Sequence, residues 1–175
     1  LDRLLGRLTL RNGKSKALDA GCGDGLVSAW LEAQGWTVTG EDQEAHPAWP
    51  SLKAQAKKLR FSVRDAGKPG PGAYDLVLAK DMLHHAHDPV MALKRLAARV
   101  RPGGRLLIIE CNRLNPIFYV HLTLLKGHEH FTLGRLKNLM LQAGLKGSQL
   151  QRQESRVFPW GGPRVHNLFD RAQDL

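Results

Sequence analysis

The segment ALDAGCGDG (residues 17–25) joins a short apolar run to a loop in which three of the last five residues are glycine. Glycine is favoured where φ must be positive or where another group must approach the backbone closely. A strand that enters such a loop and leaves it as a helix is a common place to bind an anion or a nucleotide. This segment therefore predicts a strand–loop–helix binding site near the start of the chain.

Strands and helices alternate along the chain on both sides of this segment. Apolar or alternating runs predict strands at 16–21, 36–42, 60–65, 74–81 and 105–111. Helical spacing predicts helices at 1–10, 24–35, 50–59, 89–100 and 132–144. We expect the turn RPGG (101–104) to end the fourth of these helices, Thr132 to cap the fifth, and Gly144 to stop it.

This alternation predicts βαβ units and an α/β fold: a doubly wound, mostly parallel sheet with helices on both faces. Residues 148–158 are polar but favour an edge strand, and the stretch from Pro159 onward is ambiguous, so the C-terminal strands are expected to be incomplete. The length of 175 residues favours one domain over 1–175.

Composition narrows the class of protein and its partners. The 26 lysine and arginine residues outnumber the 16 aspartate and glutamate residues, which gives a net charge of +10 that attracts anions in general. These charges are dispersed over helical polar faces, so nucleic acid is an open partner but not the favoured one. No apolar run is long enough for a transmembrane segment. The two cysteines, Cys22 and Cys111, favour buried thiols in a reducing, cytoplasmic location.

Acidic side chains follow the predicted strands, where doubly wound sheets bind their ligands. The spacing G-C-G-D-G is neither the dinucleotide fingerprint nor a phosphate-binding P-loop. Asp19 precedes the loop and is expected to brace it by accepting backbone N–H bonds. Asp42 ends the second strand, where a carboxylate can accept both ribose hydroxyls, and Asp65 ends the third, where a carboxylate can accept from an adenine amino group. Together the two predict an adenosine-shaped site.

At this point the chain resembles the class I S-adenosylmethionine-dependent methyltransferases, in the small-molecule branch grouped with ubiquinone and menaquinone methyltransferases. Five motifs carry the resemblance, in the order of the family and spread over residues 17 to 110. They are LDAGCGDG (18–25), VTGED (38–42), VRDA (63–66), YDLVLAKDMLHHAHDP (74–89) and LAARVRPGGRLLIIE (96–110). Each motif is loose, but the set is specific, and it implies the Rossmann-like methyltransferase fold.

The resemblance implies roles for the residues at these strand ends. Gly21, Cys22 and Gly23 would give backbone contacts to the methionine part of S-adenosylmethionine, whose product is S-adenosylhomocysteine. Asp42 would hold the ribose with Gln43 beside the adenine, and Glu41 is expected to point away. Two further sets complete the cofactor site: Asp65 and the backbone of Ala66 at the adenine edge, and Lys80 facing cofactor and substrate.

The expected reaction is methyl transfer to a small-molecule acceptor, with O- and C-methylation both open. Because the sulfonium already activates the methyl group, the enzyme mainly aligns nucleophile, methyl and sulfur. A base helps only where the acceptor must lose a proton. By resemblance His85 lies near the substrate pocket and is the catalytic base or orienting group, although a loop-capping role fits it equally. Residues 112–131 are apolar and aromatic and are expected to form a substrate lid or a core-packing helix, and a lid of this composition suggests an apolar acceptor. The positive net charge leaves an anionic acceptor open as well.

Three other interpretations stay open on the sequence. The run HHAHDP (84–89) lacks the final histidine of the metallo-β-lactamase motif, so we predict no metal site. RNA methylation would suit the positive charge, but AKDM (79–82) stands where amino-directed nucleic-acid methyltransferases carry Asn/Asp-Pro-Pro-aromatic. A non-catalytic cofactor-binding domain would keep the cofactor site and lack an acceptor pocket.

Overall fold

The computed structural model describes residues 15–65, 68–70, 72–110 and 131–146. The chain divides into two compact units, Leu1–Ile109 and Glu110–Leu175. The sheet and the candidate site lie in the first unit. The predicted helix at 1–10 and the predicted edge strand at 148–158 lie outside the described residues, and the single domain over 1–175 stays a prediction.

Five parallel strands form one sheet in the order β3-β2-β1-β4-β5. They are β1 (Lys16–Ala20), β2 (Thr37–Asp42), β3 (Leu59–Val63), β4 (Tyr74–Lys80) and β5 (Val100–Ile109). The chain winds outward from β1 to β3 and then returns to the other side of β1 at β4. This doubly wound order confirms the predicted α/β fold.

Four α-helices and one short 3-10 helix accompany the strands in the described residues. They are α1 (Leu26–Ala33), α2 (Trp49–Gln55), the 3-10 helix Leu83–His85, α3 (Pro89–Ala98) and α4 (Leu133–Gln142). The helix α4 belongs to the second unit. Its Thr132 side chain accepts a hydrogen bond from the Arg135 N–H, and Gly144 follows it with a φ of 81°, so the predicted cap and stop are confirmed.

Helices cover both faces of the sheet, as predicted. On one face Leu31 of α1 packs with Ala17, Val38 and Leu76. On the other face Leu96 of α3 packs against an apolar cluster of the central strands, namely Leu18, Ala20, Val77 and Ala79. Because β1 and β4 are apolar on both faces, they form the middle of the sheet, and their carboxyl ends lie side by side.

Two predicted boundaries were wrong. The turn RPGG (101–104) does not end α3; it lies inside β5, which begins at Val100. Tyr74 pairs with Val100 but Leu76 pairs with Arg105, so β5 carries a bulge there, where Pro102 has no N–H for the ladder. Helix α2 ends at Gln55 rather than at residue 59, since the chain must extend at Ala56 to pair Leu59 with Val38.

Candidate functional site

A pocket of about 460 Å³ lies at the carboxyl ends of the strands. It is lined by Gly21, Gly23, Asp42, Gln43, Asp65, Asp81, Met82 and His85. These residues follow β1, β2, β3 and β4. The chain leaves β1 and β4 in opposite directions, and this is the switch point where doubly wound sheets bind their ligands. Five of the residues that line the pocket were predicted site residues, and His85 is a sixth.

The glycine loop needs glycine for two separate reasons. Gly21 and Gly23 have φ values of 72° and 51°, in the left-handed region that L side chains rarely adopt. In addition, a Cβ at Gly21 would lie 2.5 Å from the Cγ atom of Met82, whereas a Cβ at Gly23 would meet nothing within 4 Å. The loop is therefore packed under Met82 at Gly21 and open at Gly23.

The N–H groups of this loop are bound within the protein. Gly21 and Cys22 donate to the carbonyl oxygen of Glu41 at 2.8 and 3.0 Å, and Gly23 donates to Asp42 Oδ2 at 2.7 Å. A phosphate-binding loop instead points its N–H groups at the ligand. This loop thus offers close approach to its backbone rather than a set of donors for a pyrophosphate.

Trp49 binds the other backbone polar group of Gly23, its carbonyl oxygen. The indole N–H donates to the Gly23 carbonyl oxygen at 2.9 Å, and the ring stacks on Phe61 with centroids 4.8 Å apart. Both backbone polar groups of Gly23 are thereby fixed, one by Asp42 and one by Trp49. Sequence reasoning missed this contact, because nothing in the spacing places the start of α2 against the loop.

Asp42 and Gln43 lie where they were predicted. Besides the bond to Gly23, the Asp42 carboxylate accepts the Gln43 N–H at 2.7 Å through Oδ1. A carboxylate has about four acceptor positions, so two remain for a ligand's hydroxyl groups. Gln43 is exposed and Asp65 half-buried at the pocket wall. Ala66 lies outside the described residues.

Asp19 is buried below the loop rather than exposed to it. It is 1% exposed and accepts the Ser28 hydroxyl at 2.6 Å, so it ties β1 to α1. The expected brace of backbone N–H bonds is replaced by this side-chain bond. Burial raises the pKa of Asp19 to about 6, although the Ser28 bond acts against the rise. Burial, with the charges of Asp19 and Asp42, raises the pKa of the Cys22 thiol to about 12.

The end of β4 presents a different side chain from the one expected. The Lys80 ammonium pairs with the carboxylate of Asp81, and Asp81 and Met82 line the pocket where Lys80 was expected to face it. Asp81 has a φ of 51° and donates its N–H to Ile109 at 2.8 Å. Positive φ at a non-glycine residue concentrates at functional sites. The sequence signal was available, since Asp81 directly follows the strand.

His85 is exposed at the pocket on the 3-10 helix Leu83–His85. Its backbone N–H donates to the carbonyl oxygen of Met82 at 3.0 Å. Its ring centroid lies 4.1 Å from the ring centroid of His84. The fold thus places this histidine on the lining of the pocket. Within the described ranges, no group of three or more His, Cys, Asp or Glu side chains is arranged to hold a metal ion.

Glu41 points away from the pocket, as expected, and into a buried ion pair. Its carboxylate binds the guanidinium of Arg99 through two bonds of 2.5 and 2.9 Å, and the two residues are 2% and 1% exposed. Burial alone would lower the pKa of Arg99, but the bonds and charge of Glu41 raise it. No local pattern predicts this pair, because its members are 58 residues apart in the chain.

The predicted lid, residues 112–131, lies outside the described residues apart from Phe131. Among the helices that the structure describes, none is long and apolar enough to cross a membrane.

Sequence comparison finds curated relatives of this chain. The ubiquinone biosynthesis O-methyltransferase of Aeromonas salmonicida is 35% identical over 111 residues, which cover 60% of this chain and 46% of that protein. The protein of the same name from Xanthomonas campestris pv. campestris is 29% identical over 170 residues, covering 88% and 69%. The match to the Vibrio parahaemolyticus protein covers 44% of its length, so the chain spans about half of several of these relatives.

Solved structures share the fold. The 1,6-didemethyltoxoflavin-N1-methyltransferase of Burkholderia thailandensis, solved with 1,6-didemethyltoxoflavin and S-adenosylhomocysteine, is 25% identical with a TM-score of 0.60, covering 82% of this chain and 63% of that chain. The phosphoethanolamine N-methyltransferase 2 of Haemonchus contortus, 21% identical with a TM-score of 0.65, covers 81% and 35% and shows the fold alone.

A family model described as a methyltransferase domain matches residues 1–150, which include every residue of the pocket. The match, the sheet order and the glycine loop agree, and the chain belongs to the methyltransferase domain family.

Proposed function

We propose that this chain binds S-adenosylmethionine and transfers its methyl group to a small-molecule acceptor. The observation that carries the proposal is the loop at 21–23, whose N–H groups are occupied by Glu41 and Asp42. Such a loop suits a cofactor without a pyrophosphate. The acidic wall formed by Asp42, Asp65 and Asp81 also complements a sulfonium cation.

The residues at each strand end would hold a different part of the cofactor. The open backbone at Gly23 lets the methionine part lie against the loop, with Gly21 beside it under Met82. The two remaining acceptor positions of Asp42 would take the ribose hydroxyls. Asp65 would accept the adenine amino group. When bound, S-adenosylmethionine supplies an activated methyl group, so the protein's work is alignment and exclusion of water.

His85 is the residue that we assign to the acceptor. It lies on the pocket wall beside Met82, and an imidazole there can accept a proton from a hydroxyl or amine as the methyl group arrives. For an acceptor that must lose a proton, His85→Asn should lower kcat about 100-fold. The affinity for S-adenosylhomocysteine should stay unchanged. An unchanged kcat would mean that His85 has a structural role in its loop and no role in proton transfer.

The acceptor is proposed to be an apolar small molecule. Two observations favour it: the similarity to ubiquinone biosynthesis O-methyltransferases, and the three carboxylates of the described pocket wall, which would repel an anionic acceptor. The 25% identical Burkholderia protein is an N-methyltransferase by name, so the atom that is methylated stays open. We also propose a cytoplasmic location, which rests on the two cysteines alone.

Calorimetric titration with S-adenosylmethionine and S-adenosylhomocysteine tests the cofactor. We expect micromolar binding by the wild type, binding at least about tenfold weaker in Asp42→Ala, and no change in Glu44→Ala, which removes an exposed neighbouring acid outside the pocket. No binding by the folded wild type would overturn the proposal. Binding without turnover of any acceptor would favour a non-catalytic domain, and methylation of RNA with steep salt dependence would favour a nucleic-acid substrate.

A further inference from the structure

The connection between β3 and β4 carries the residue proposed to recognise the adenine. It runs from Arg64 to Ala73, and its described parts (64–65, 68–70 and 72–73) contain no helix. Asp65 lies near its start, at the pocket wall. A connection without regular structure has few hydrogen bonds of its own, so its position must be set by contacts from elsewhere in the fold.

The Glu41 carboxylate lies between two arginines that reach it from different segments. Arg99, at the end of α3, binds it through both terminal nitrogens at 2.5 and 2.9 Å. Arg64, at the start of the connection, places its Nε atom 3.7 Å from Glu41 Oε1. The carboxylate thereby links the connection to the end of α3.

The described parts of the connection make further contacts at or beside the cluster of Glu41, Arg64 and Arg99. At one end Arg64 donates its N–H to the Asp42 carbonyl oxygen at 2.7 Å, directly before Asp65. Farther along, the backbone at Gly70 lies over the Arg99 guanidinium, because a Cβ at Gly70 would be 3.1 Å from Arg99 Cζ. The Arg64 guanidinium also donates to Pro69 at 3.5 Å.

Stability alone does not account for such a pair. A buried ion pair must offset the desolvation of two charges, and well-packed apolar side chains of similar size often stabilise a protein as much or more. The bidentate pair fixes the relative orientation of its two side chains, because a planar guanidinium binds a carboxylate in one geometry that lysine cannot reproduce. Here that geometry faces the segment that carries Asp65.

We propose that Arg99 and Glu41 are positioning residues that hold Arg64 and the backbone of residues 69–70 so that Asp65 meets the adenine amino group. The inference rests on the proposed cofactor site. It assigns adenine selectivity to a buried pair that does not line the pocket, beyond the side chains that line the site.

The test is base selectivity, measured as the ratio of the Kd values of S-inosylhomocysteine and S-adenosylhomocysteine. The inosyl compound replaces the adenine amino group with a carbonyl oxygen, which a carboxylate repels. We expect a preference of about tenfold or more for the adenosyl compound in the wild type. Arg99→Lys and Glu41→Gln should lower the ratio to near that of Asp65→Asn, which sets the limit. Arg101→Lys is the matched control, since it alters the ion pair with Asp75 outside this cluster.

Thermal unfolding of the same variants separates positioning from stability. If Arg99→Lys lowers the Tm and leaves the ratio unchanged, the pair is structural only and the proposal is overturned. If single variants fail to fold, the double variant E41M/R99M removes both charges together and should fold, yet still lose selectivity. If the wild type binds neither compound, the proposed function is overturned. If it binds both equally well, only the roles of Asp65, Arg99 and Glu41 in base selectivity are overturned.

Discussion

The Asp42 carboxylate accepts the N–H of Gly23 at 2.7 Å, so the end of β2 closes the loop that follows β1. The other carboxylate oxygen accepts the N–H of Gln43 at 2.7 Å. One side chain therefore shapes the loop and lies ready for a ligand's hydroxyl groups. Both oxygens must be acceptors for this arrangement to hold.

Asp42→Asn keeps the size and shape of the side chain but removes its negative charge and one of its acceptor oxygens. An amide has one acceptor oxygen, so one of the two N–H groups would face an NH₂ group and lose its partner. We expect a loss of about 1–3 kcal/mol in the free energy of unfolding and weaker binding of S-adenosylhomocysteine. Denaturant titration and calorimetry measure the two effects.

Asp24→Asn is the control for this change. Among the residues that the structure describes, Asp24 Oδ1 accepts a single N–H, that of Leu26 at 3.0 Å, and an asparagine oxygen can do the same. Equal losses in the two variants would show that Asp42 has no special place in the loop.

Gly21→Ala and Gly23→Ala form a matched pair at the same loop. Both force a side chain into positive φ, which costs about 1 kcal/mol. Only Gly21→Ala also drives a Cβ against Met82, so it should cost clearly more in the free energy of unfolding than Gly23→Ala. Chemical denaturation compares them, and Met82→Ala in the Gly21→Ala background should recover part of the difference. Equal effects would mean that Met82 does not pack on the loop.

Trp49→Phe should loosen the loop while keeping the core. Phenylalanine can still stack on Phe61 but has no N–H for the Gly23 carbonyl oxygen, which is 2.9 Å from the indole nitrogen. We expect an affinity for S-adenosylhomocysteine that is about tenfold lower. Trp36→Phe, at a buried tryptophan in the core cluster against which Phe61 packs, controls for the loss of ring volume. The idea fails if the two variants bind equally well.

Local patterns predicted the strands, the helices and most of the pocket, because those features depend on near neighbours in the chain. The glycine spacing marks the loop after β1, and acids at strand ends mark Asp42 and Asp65. Long-range contacts were the part that spacing does not encode. Asp19 meets Ser28 instead of the loop backbone, Trp49 reaches Gly23, and Glu41 binds Arg99, each through tertiary packing. The bulge in β5 was missed because RPGG is typical of a turn, while pairing with β4 overrides that preference.

The buried Asp19 predicts a specific dependence of stability on pH. Burial raises its pKa from 3.8 to about 6 in the folded protein, so the folded state binds the proton more tightly than the unfolded state. The stabilisation from protonated Asp19 is fully present below about pH 4 and is lost as the pH rises through about 6.

Asp19→Asn removes this titration and keeps an oxygen that can accept the Ser28 hydroxyl. We therefore subtract the free energy of unfolding of the wild type from that of the variant. This difference should rise between about pH 4 and pH 6, by on the order of 3 kcal/mol at most, and stay level above pH 6. Urea titrations of both proteins at several pH values across this range measure it. Taking the difference cancels the titration of the groups that do not interact with Asp19, since both proteins share it. A difference that does not change with pH would mean that burial does not raise the pKa of Asp19 above its value in the unfolded chain.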